Sequence, residues 1–530
     1  MAQPRLKHFG WGREGEGLTA EEEAIVLRRT EERFGPPTER EVKPPALDDI
    51  ELDPARITPP KSLPFCSTER YDRVAHTFGK AFPEYARGLV GDYSSAPDIV
   101  AYPRNEKEVA AVLDWAGAAQ ASVTPFGGGS SVVGGVEPRR DAKHKAAVTV
   151  DLRELGRVLE VDGTSRAARI EAGAFGPALE SQLKPHRLTL RHFPQSFECS
   201  TLGGWIATRS GGHFASLYTH IDDLVESLRI VSPRGVLETR RLPGSGAGPS
   251  PDRLLIGSEG ILGIITQAWM RLQDRPKFRA GGAVRFADFF TAARALRAVA
   301  QAGLYPANCR ILDPQEARNT GAADGSVAIM VLAFESGDHP VEPWMARALE
   351  CCADHGGKAE RPERADAHRE GAAGAWRNAF IRMPYARERL IRRGIIGDTF
   401  ETAITWERFE PFHDRVKTAT EQAIVEATGR PGQVTCRCTH VYPDGPAPYF
   451  TFQAAGRHGQ LGAQWRVIKS AGLDAVIENG GTVTHHHAVG RDHRPWYDRQ
   501  RPPLFAAALK AAKAALDPQG MLNPGVLIDP

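Results

Sequence analysis

A mixed fold, α+β overall, is what this sequence predicts, and three observations lead there. Strand-like runs at 122–126, 146–152, 167–174 and 262–272 are interleaved with helical patterns. Residues 276–477 repeat that mixture with new elements, among them a helix at 286–302 and a strand at 327–335. At 530 residues and 41% hydrophobic content, the chain can also fill two or three cores. The first large domain, 66–275, reads as α+β or α/β on this pattern.

Taken in order, the chain opens with an N-terminal helix and arm, residues 1–65. Thr19 and Glu22 form a capping box, three residues apart, at the start of the helix. Gly35-Pro36-Pro37 ends it. The proline-rich stretch to Pro64, with Pro44-Pro45 and Pro59-Pro60, is expected to run extended along a neighbouring domain. In 66–275, Asn105 caps a helix whose Val109, Val112, Leu113 and Ala116 mark one apolar face. In the second domain, 276–477, residues 361–393 are rich in Arg and Glu without a dense apolar run, so part of that stretch is expected to be solvated surface. The last segment, 478–530, carries His485-His486-His487 in a strand-like run after the turn Asn479-Gly480-Gly481. Alternation in a strand would send His485 and His487 to one face and His486 to the other. An Ala-rich helix at 504–516 then stops at Asp517-Pro518.

Composition excludes several classes. The net charge of +2, from 67 basic and 65 acidic residues, leaves no electrostatic footprint for nucleic acid. Seven cysteines form no C-x-x-C pair, which predicts reduced thiols in a cytoplasmic protein. The first seventeen residues are polar, unlike a secretory signal, and no run is long and apolar enough to span a bilayer. Peripheral contact with a membrane stays open. A histidine trio without clustered carboxylates or cysteines makes a poor closed zinc site, so no metal is expected.

The most informative stretch is Pro125-Phe126-Gly127-Gly128-Gly129-Ser130-Ser131, continuing to Val136. Its glycines allow positive φ and let backbone N–H groups approach a ligand closely. Successive amides in such a turn form a concavity for an anion such as pyrophosphate. It is not a G-x-G-x-x-G fingerprint, because Val132 stands where the third glycine belongs, and it is not a Walker loop, because no Lys follows Gly134.

Further motifs accompany it: Pro194-Gln195-Ser196-Phe197-Glu198-Cys199-Ser200, leading to Gly203-Gly204; Ala207-Thr208-Arg209-Ser210; Glu259-Gly260-Ile261-Leu262-Gly263-Ile264-Ile265; and Leu516–Pro524. Together they resemble the FAD-binding flavoproteins of the vanillyl-alcohol-oxidase (PCMH) type, in the same order and at similar spacing. Within that superfamily the chain is most similar to the alkyldihydroxyacetonephosphate synthase family, its bacterial members in particular. The more specific marks are Pro306–Arg310, Tyr385-Ala386-Arg387, Phe400-Glu401-Thr402, Tyr449–Phe452 and the histidine trio.

The resemblance implies a PCMH-type FAD domain of two α/β subdomains and a cap domain whose antiparallel sheet roofs the flavin. It implies FAD held without a covalent tether, and an exchange of the acyl group of acyl-dihydroxyacetone phosphate for a long-chain fatty alcohol. That exchange has no net redox change, with the flavin N5 holding the substrate carbon. The resemblance assigns proton transfer to Tyr449, proton relay and flavin contacts to His485, His486 and His487, and substrate binding to Arg387. Arg310 supports the site, and His192 lies near the flavin. Residues 125–131 would cradle the pyrophosphate, 194–200 and 207–210 would line the flavin, and 259–265 would close over the adenine end and ribityl chain. Ala488 departs from the glycine that synthases carry after the trio. A homodimer is the implied assembly. The alternative on the same fold is an FAD-linked dehydrogenase or oxidase of a 2-hydroxy acid or alcohol.

Overall fold

Strand Ala121–Phe126 delivers the glycine run, and its place in a sheet explains why the run faces a cleft. In the computed structural model, which describes residues 5–36, 39–360 and 371–529, it lies at the edge of a four-stranded sheet. The order is Cys66–Ser67, Ile99–Ala101, Ala146–Asp151, Ala121–Phe126, and the last three strands are parallel. Helix Glu106–Ala118 connects two of them; Asn105 caps it, and Val109, Val112, Leu113 and Ala116 are its buried residues. Parallel strands end on the same side, where open sheets of this kind bind ligands. The glycine run leaves from that end. Backbone pairing of Val123 with Met521 and Asn523, each at 2.8 Å, brings the C-terminal motif alongside it.

A second, five-stranded antiparallel sheet follows, in the order Val158–Asp162, Ala167–Glu171, Ile264–Arg271, Val225–Ser232, Gly235–Glu238. It shares one apolar core with the first sheet, joining Val148 and Val150 to Ile170, Leu228 and Ile264.

The third sheet has seven antiparallel strands, running in space from Lys358–Ala359 through Phe278–Phe286, Ala328–Ser336, Asn308–Leu312, Gln433–Val441 and Pro446–Ala455 to Ile395–Glu401. Strand alternation divides its faces. Cys436, Cys438, Phe450, Phe452 and Phe400 join a core with helices Phe289–Gln301, Trp406–Thr428 and Leu461–Glu478. Their neighbours Arg437, Thr439, Tyr449, Thr451 and Thr399 point the other way, toward the first two sheets. Among the described residues no helix is long and apolar enough to cross a membrane, and all seven cysteines are free thiols.

The structure refines one expectation and corrects another. Residues 361–370, and likewise Pro37 at the end of the first helix, lie outside the described residues. The described remainder of the arginine-rich stretch is largely a helix, Gly371–Ile391, which leaves Arg377 and Asn378 exposed and buries Trp376, Tyr385, Leu390 and Ile391. Four arginines in and just beyond it are paired by the N-terminal segment. Arg382 pairs with Glu22, Arg389 with Glu23, Arg392 with Glu41 and Arg393 with Glu31. The histidine trio, in turn, belongs to no strand. The carboxylate of Glu401 accepts the backbone N–H groups of His485, His486 and His487, taking donors a sheet ladder would need.

Candidate functional site

A cavity of about 310 Å³ lies between the glycine run, residues 193–212, helix Gly371–Ile391 and the polar face of the seven-stranded sheet. Its floor is built by close backbone approach. A Cβ on Gly128 would sit 1.8 Å from the carbonyl oxygen of Cys199, and one on Gly127 would sit 2.2 Å from Thr201 Oγ1. Only glycine allows the run to lie this tightly on the 199–201 turn while Gly127 to Ser131 border the cavity.

On the roof, the Tyr449 hydroxyl donates to Thr399 Oγ1 at 3.0 Å. The Arg437 guanidinium carbon stands 3.9 Å from the Tyr449 ring centroid. Burial pushes the phenol above its ordinary pKa, against the pull of Arg437. Arg437 is held by Glu316 at 2.5 Å, a buried pair that fixes the cation in place. Arg310 stacks over Trp376 and Phe380, at 5.0 and 5.5 Å, and donates to the His213 carbonyl at 3.2 Å. Burial, followed by the nearby Arg437, lowers Arg310 to about 9.

The histidines crowd one wall. His485 Nδ1 and His486 Nδ1 are 2.9 Å apart, and His485 Nε2 is 2.7 Å from the Tyr442 hydroxyl. His486 and His487 border the cavity, whereas His485 stands behind them against His220 and His440. Burial keeps His485 and His440 neutral and lowers His487 to about 3. Burial pushes Glu401 upward, but the facing His486, 3.2 Å away, outweighs it and holds the carboxyl well below the usual range. Its anion is further satisfied by the three amides and by the Thr484 hydroxyl at 2.5 Å.

Arg387 donates to Asp398 Oδ1 at 3.0 Å and to the Lys80 carbonyl at 2.8 Å, which aims it along the cavity edge. His192 is buried; its Nε2 is 2.8 Å from Ser210 Oγ, and burial lowers it to about 3. Pro194, Gln195, Ser196, Ser200, Thr208 and Ser210 border the cavity.

Other predicted positions are not brought to that lining. Cys199 and Phe126 face a smaller adjoining void. Phe197 stacks on Trp205, Arg209 pairs with Asp222, and the Ala207 carbonyl accepts the Glu259 N–H. Ile261, Leu262, Ile264 and Ile265 are core residues. Glu259 is buried, and its carboxylate accepts the N–H groups of Val489 and Gly490 at 2.9 and 2.8 Å, tying the 259–265 loop to the segment after the trio. Ala488, in that segment, has φ +71°, a conformation that favours glycine.

This arrangement has known counterparts. Residues 97–240 match the family described as FAD binding domain, and residues 275–527 match FAD linked oxidases, C-terminal domain. An alkyldihydroxyacetonephosphate synthase of Dictyostelium discoideum is 30% identical over 528 residues, covering 92% of this chain and 85% of the relative. The chain belongs to the alkyldihydroxyacetonephosphate synthase family. The Trypanosoma brucei brucei synthase is 28% identical, with 97% of this chain and 83% of the relative covered. A solved alkyldihydroxyacetonephosphate synthase structure superimposes with a TM-score of 0.80 at 24% identity over 98% of both chains.

FAD is the cofactor that the matched domain takes, and the site of this synthase-family chain fits it. The glycine floor is a cradle that any Cβ would fill. Above it, His487 Nδ1, Arg310 Nε and Arg437 Nη2 are buried without a hydrogen-bond partner among the described residues.

Sequence reasoning gave several site residues no role. Glu401 lay inside a motif singled out for its resemblance. Arg437 stands between Cys436 and Cys438, in no recognisable motif. His440, Tyr442, Asp398 and Lys80 carried no local pattern, because only tertiary folding brings them to the cavity.

Proposed function

We propose that this chain is an FAD-dependent alkyldihydroxyacetonephosphate synthase, with FAD held non-covalently. It exchanges the acyl group of acyl-dihydroxyacetone phosphate for a long-chain alcohol. The bond from C1 to the acyl oxygen breaks, and the fatty acid leaves with both carboxylate oxygens. A bond from C1 to the alcohol oxygen forms, and the alcohol's proton is released, so nothing is oxidised or reduced overall. The observation that carries this reading is the convergence of Tyr449, His486, His487 and Arg387 on one cavity beside the glycine cradle.

FAD, when bound, supplies a reversible electron source and sink beside the exchanging carbon. Tyr449 takes the C1 proton as the acyl group leaves and later returns it; Arg437 over its ring stabilises the phenolate formed in between. His486 and His487 pass protons at the ring nitrogens that face the cavity. Arg387, oriented by Asp398, holds the substrate's phosphate. Phe193, Met383 and Leu390 in the lining keep water from the exchanging carbon. A homodimer in peripheral contact with lipid surfaces completes the reading; light scattering and vesicle sedimentation test those two points.

The deciding assay incubates purified protein with acyl-dihydroxyacetone phosphate, with and without hexadecanol. Fatty acid released only when alcohol is present supports the synthase. Flavin bleached anaerobically by D-lactate, without such release, replaces it with a 2-hydroxy-acid dehydrogenase. Acid precipitation leaving the yellow colour in the supernatant supports non-covalent FAD.

A further inference from the structure

Lys80 links the two halves of the site through its backbone. Its N–H donates to the Ser131 carbonyl at 2.5 Å, and its own carbonyl accepts from Arg387 Nη1 at 2.8 Å. One residue therefore fixes the glycine run to the arginine. Lys80 borders the main cavity and also the smaller void lined by Gly128, Gly129, Ser130 and Cys199.

The ammonium of Lys80 makes no hydrogen bond or ion pair with any described residue. The nearest help is weak. Glu84 gives its carboxylate to the Ala81 N–H, and burial, then Glu137, raises it to about 8. Burial likewise lowers Lys80 to about 8, only partly offset by Glu84. A half-buried cation lining a cavity with no counter-charge beside it is placed to take an anion that enters.

The surrounding donors say what kind of anion fits. An ammonium, a guanidinium and a run of backbone amides offer more donors than a carboxylate can accept, and they suit the oxygens of a phosphate. We propose that Lys80, Arg387 and residues 127–131 form one phosphate-binding site, in which Lys80 supplies the ammonium. Two phosphates could fill it: the pyrophosphate of the cofactor, or the phosphomonoester of the substrate. The second source rests on the proposed function, while the first needs only the FAD domain.

The test combines a variant with a measurement on the unaltered protein. Lys80→Met keeps the stem and removes the charge. FAD affinity is read by fluorescence quenching on deflavinated protein, and inorganic phosphate affinity by calorimetry on the holoenzyme. A loss of about tenfold or more in FAD affinity, with phosphate binding unchanged, assigns the site to the cofactor. A similar loss for inorganic phosphate, with FAD retained, assigns it to the substrate. Lys80→Arg should restore much of either loss. Unchanged affinity for both in folded Lys80→Met overturns the inference. Should that variant not fold, acetylation of Lys80 in the unaltered protein decides, read by mass spectrometry. Protection by FAD or inorganic phosphate supports the site, and equal labelling with and without both ligands overturns it. A protein in which phosphate protects Lys80 but no fatty acid is released would lose the synthase reading and keep this site; fatty acid release with unprotected Lys80 would do the reverse.

Discussion

The guanidinium carbon of Arg437 stands over the Tyr449 ring, 3.9 Å from its centroid, on the neighbouring strand of the roof. The two residues are register partners, so the sheet itself sets their spacing. Glu316 pairs with Arg437 in the buried interior and holds it beside Tyr449 at the cavity wall. At rest, burial keeps the phenol protonated. The fixed cation lowers the cost of the phenolate when the proton leaves.

Tyr449→Phe removes the proton carrier and one hydrogen bond, to Thr399. Stability should fall by only about 1 kcal/mol. Turnover should fall by roughly a hundredfold or more, with the yellow colour retained. Steady-state kinetics beside a flavin spectrum after gel filtration checks both; near-normal kcat would remove Tyr449 from the proton path.

Gly128→Ala tests the floor. Its Cβ would meet the Cys199 carbonyl at 1.8 Å, and both partners are backbone, so no side-chain rotation relieves the clash. The glycine run must lift from the 199–201 turn. The variant should purify colourless and lose roughly 1–3 kcal/mol of stability, as overpacked sites do. A variant that takes up FAD normally would mean the cradle is not where the cofactor sits.

Acid should weaken this fold earlier than carboxylate titration alone would. His192 and His487 are lowered to about 3, and His213 to about 4, in each case mainly by burial. Unfolded, each takes a proton near pH 6.5. These groups stabilise the native state fully above that value and lose their contribution as pH falls toward 3–4. Each adds a slope of about 1.4 kcal/mol per pH unit in that window. Urea midpoints measured from pH 7.5 to 5 should decline well before pH 5, and a flat profile would show that these imidazoles are solvated in solution.

Much of the fold was readable because local chemistry and tertiary packing agree there. The Thr19 capping box and the Asn105 cap with its four apolar residues need no distant partner to be recognised. In the stretch after residue 360 the sequence shows the arginines but not the pairing of Arg382, Arg389, Arg392 and Arg393. Their carboxylate partners lie more than three hundred residues earlier, at Glu22, Glu23, Glu31 and Glu41. The histidine trio was misplaced in a strand for a related reason. Its β-like composition is overridden by Glu401, which claims the amides. Site residues in quotable motifs, such as Gly128, Tyr449 and His487, could be named from sequence. Arg437 and Lys80 could not, since nothing near them in the chain marks a cation facing a cavity.

Glu401 gives the sharpest test of how the histidine wall is held. One buried carboxylate receives three successive backbone N–H groups and the Thr484 hydroxyl. Its pKa is held far down in the native state, so it contributes stability above its unfolded pKa of about 4.3, and that contribution is lost as pH falls below it. Glu401→Gln keeps the shape but turns one acceptor into a donor that faces other donors. The expected cost is about 2–3 kcal/mol at neutral pH, shrinking as both proteins are acidified below pH 4. Because the trio loses its anchor, His486 and His487 should drift from the cavity, and turnover should fall with FAD affinity less affected. Thermal melts of both proteins from pH 7 to pH 3, beside kcat and a flavin titration, separate this from a general loss of packing. If the stability gap stays constant with pH, Glu401 is not the anion that orders the loop.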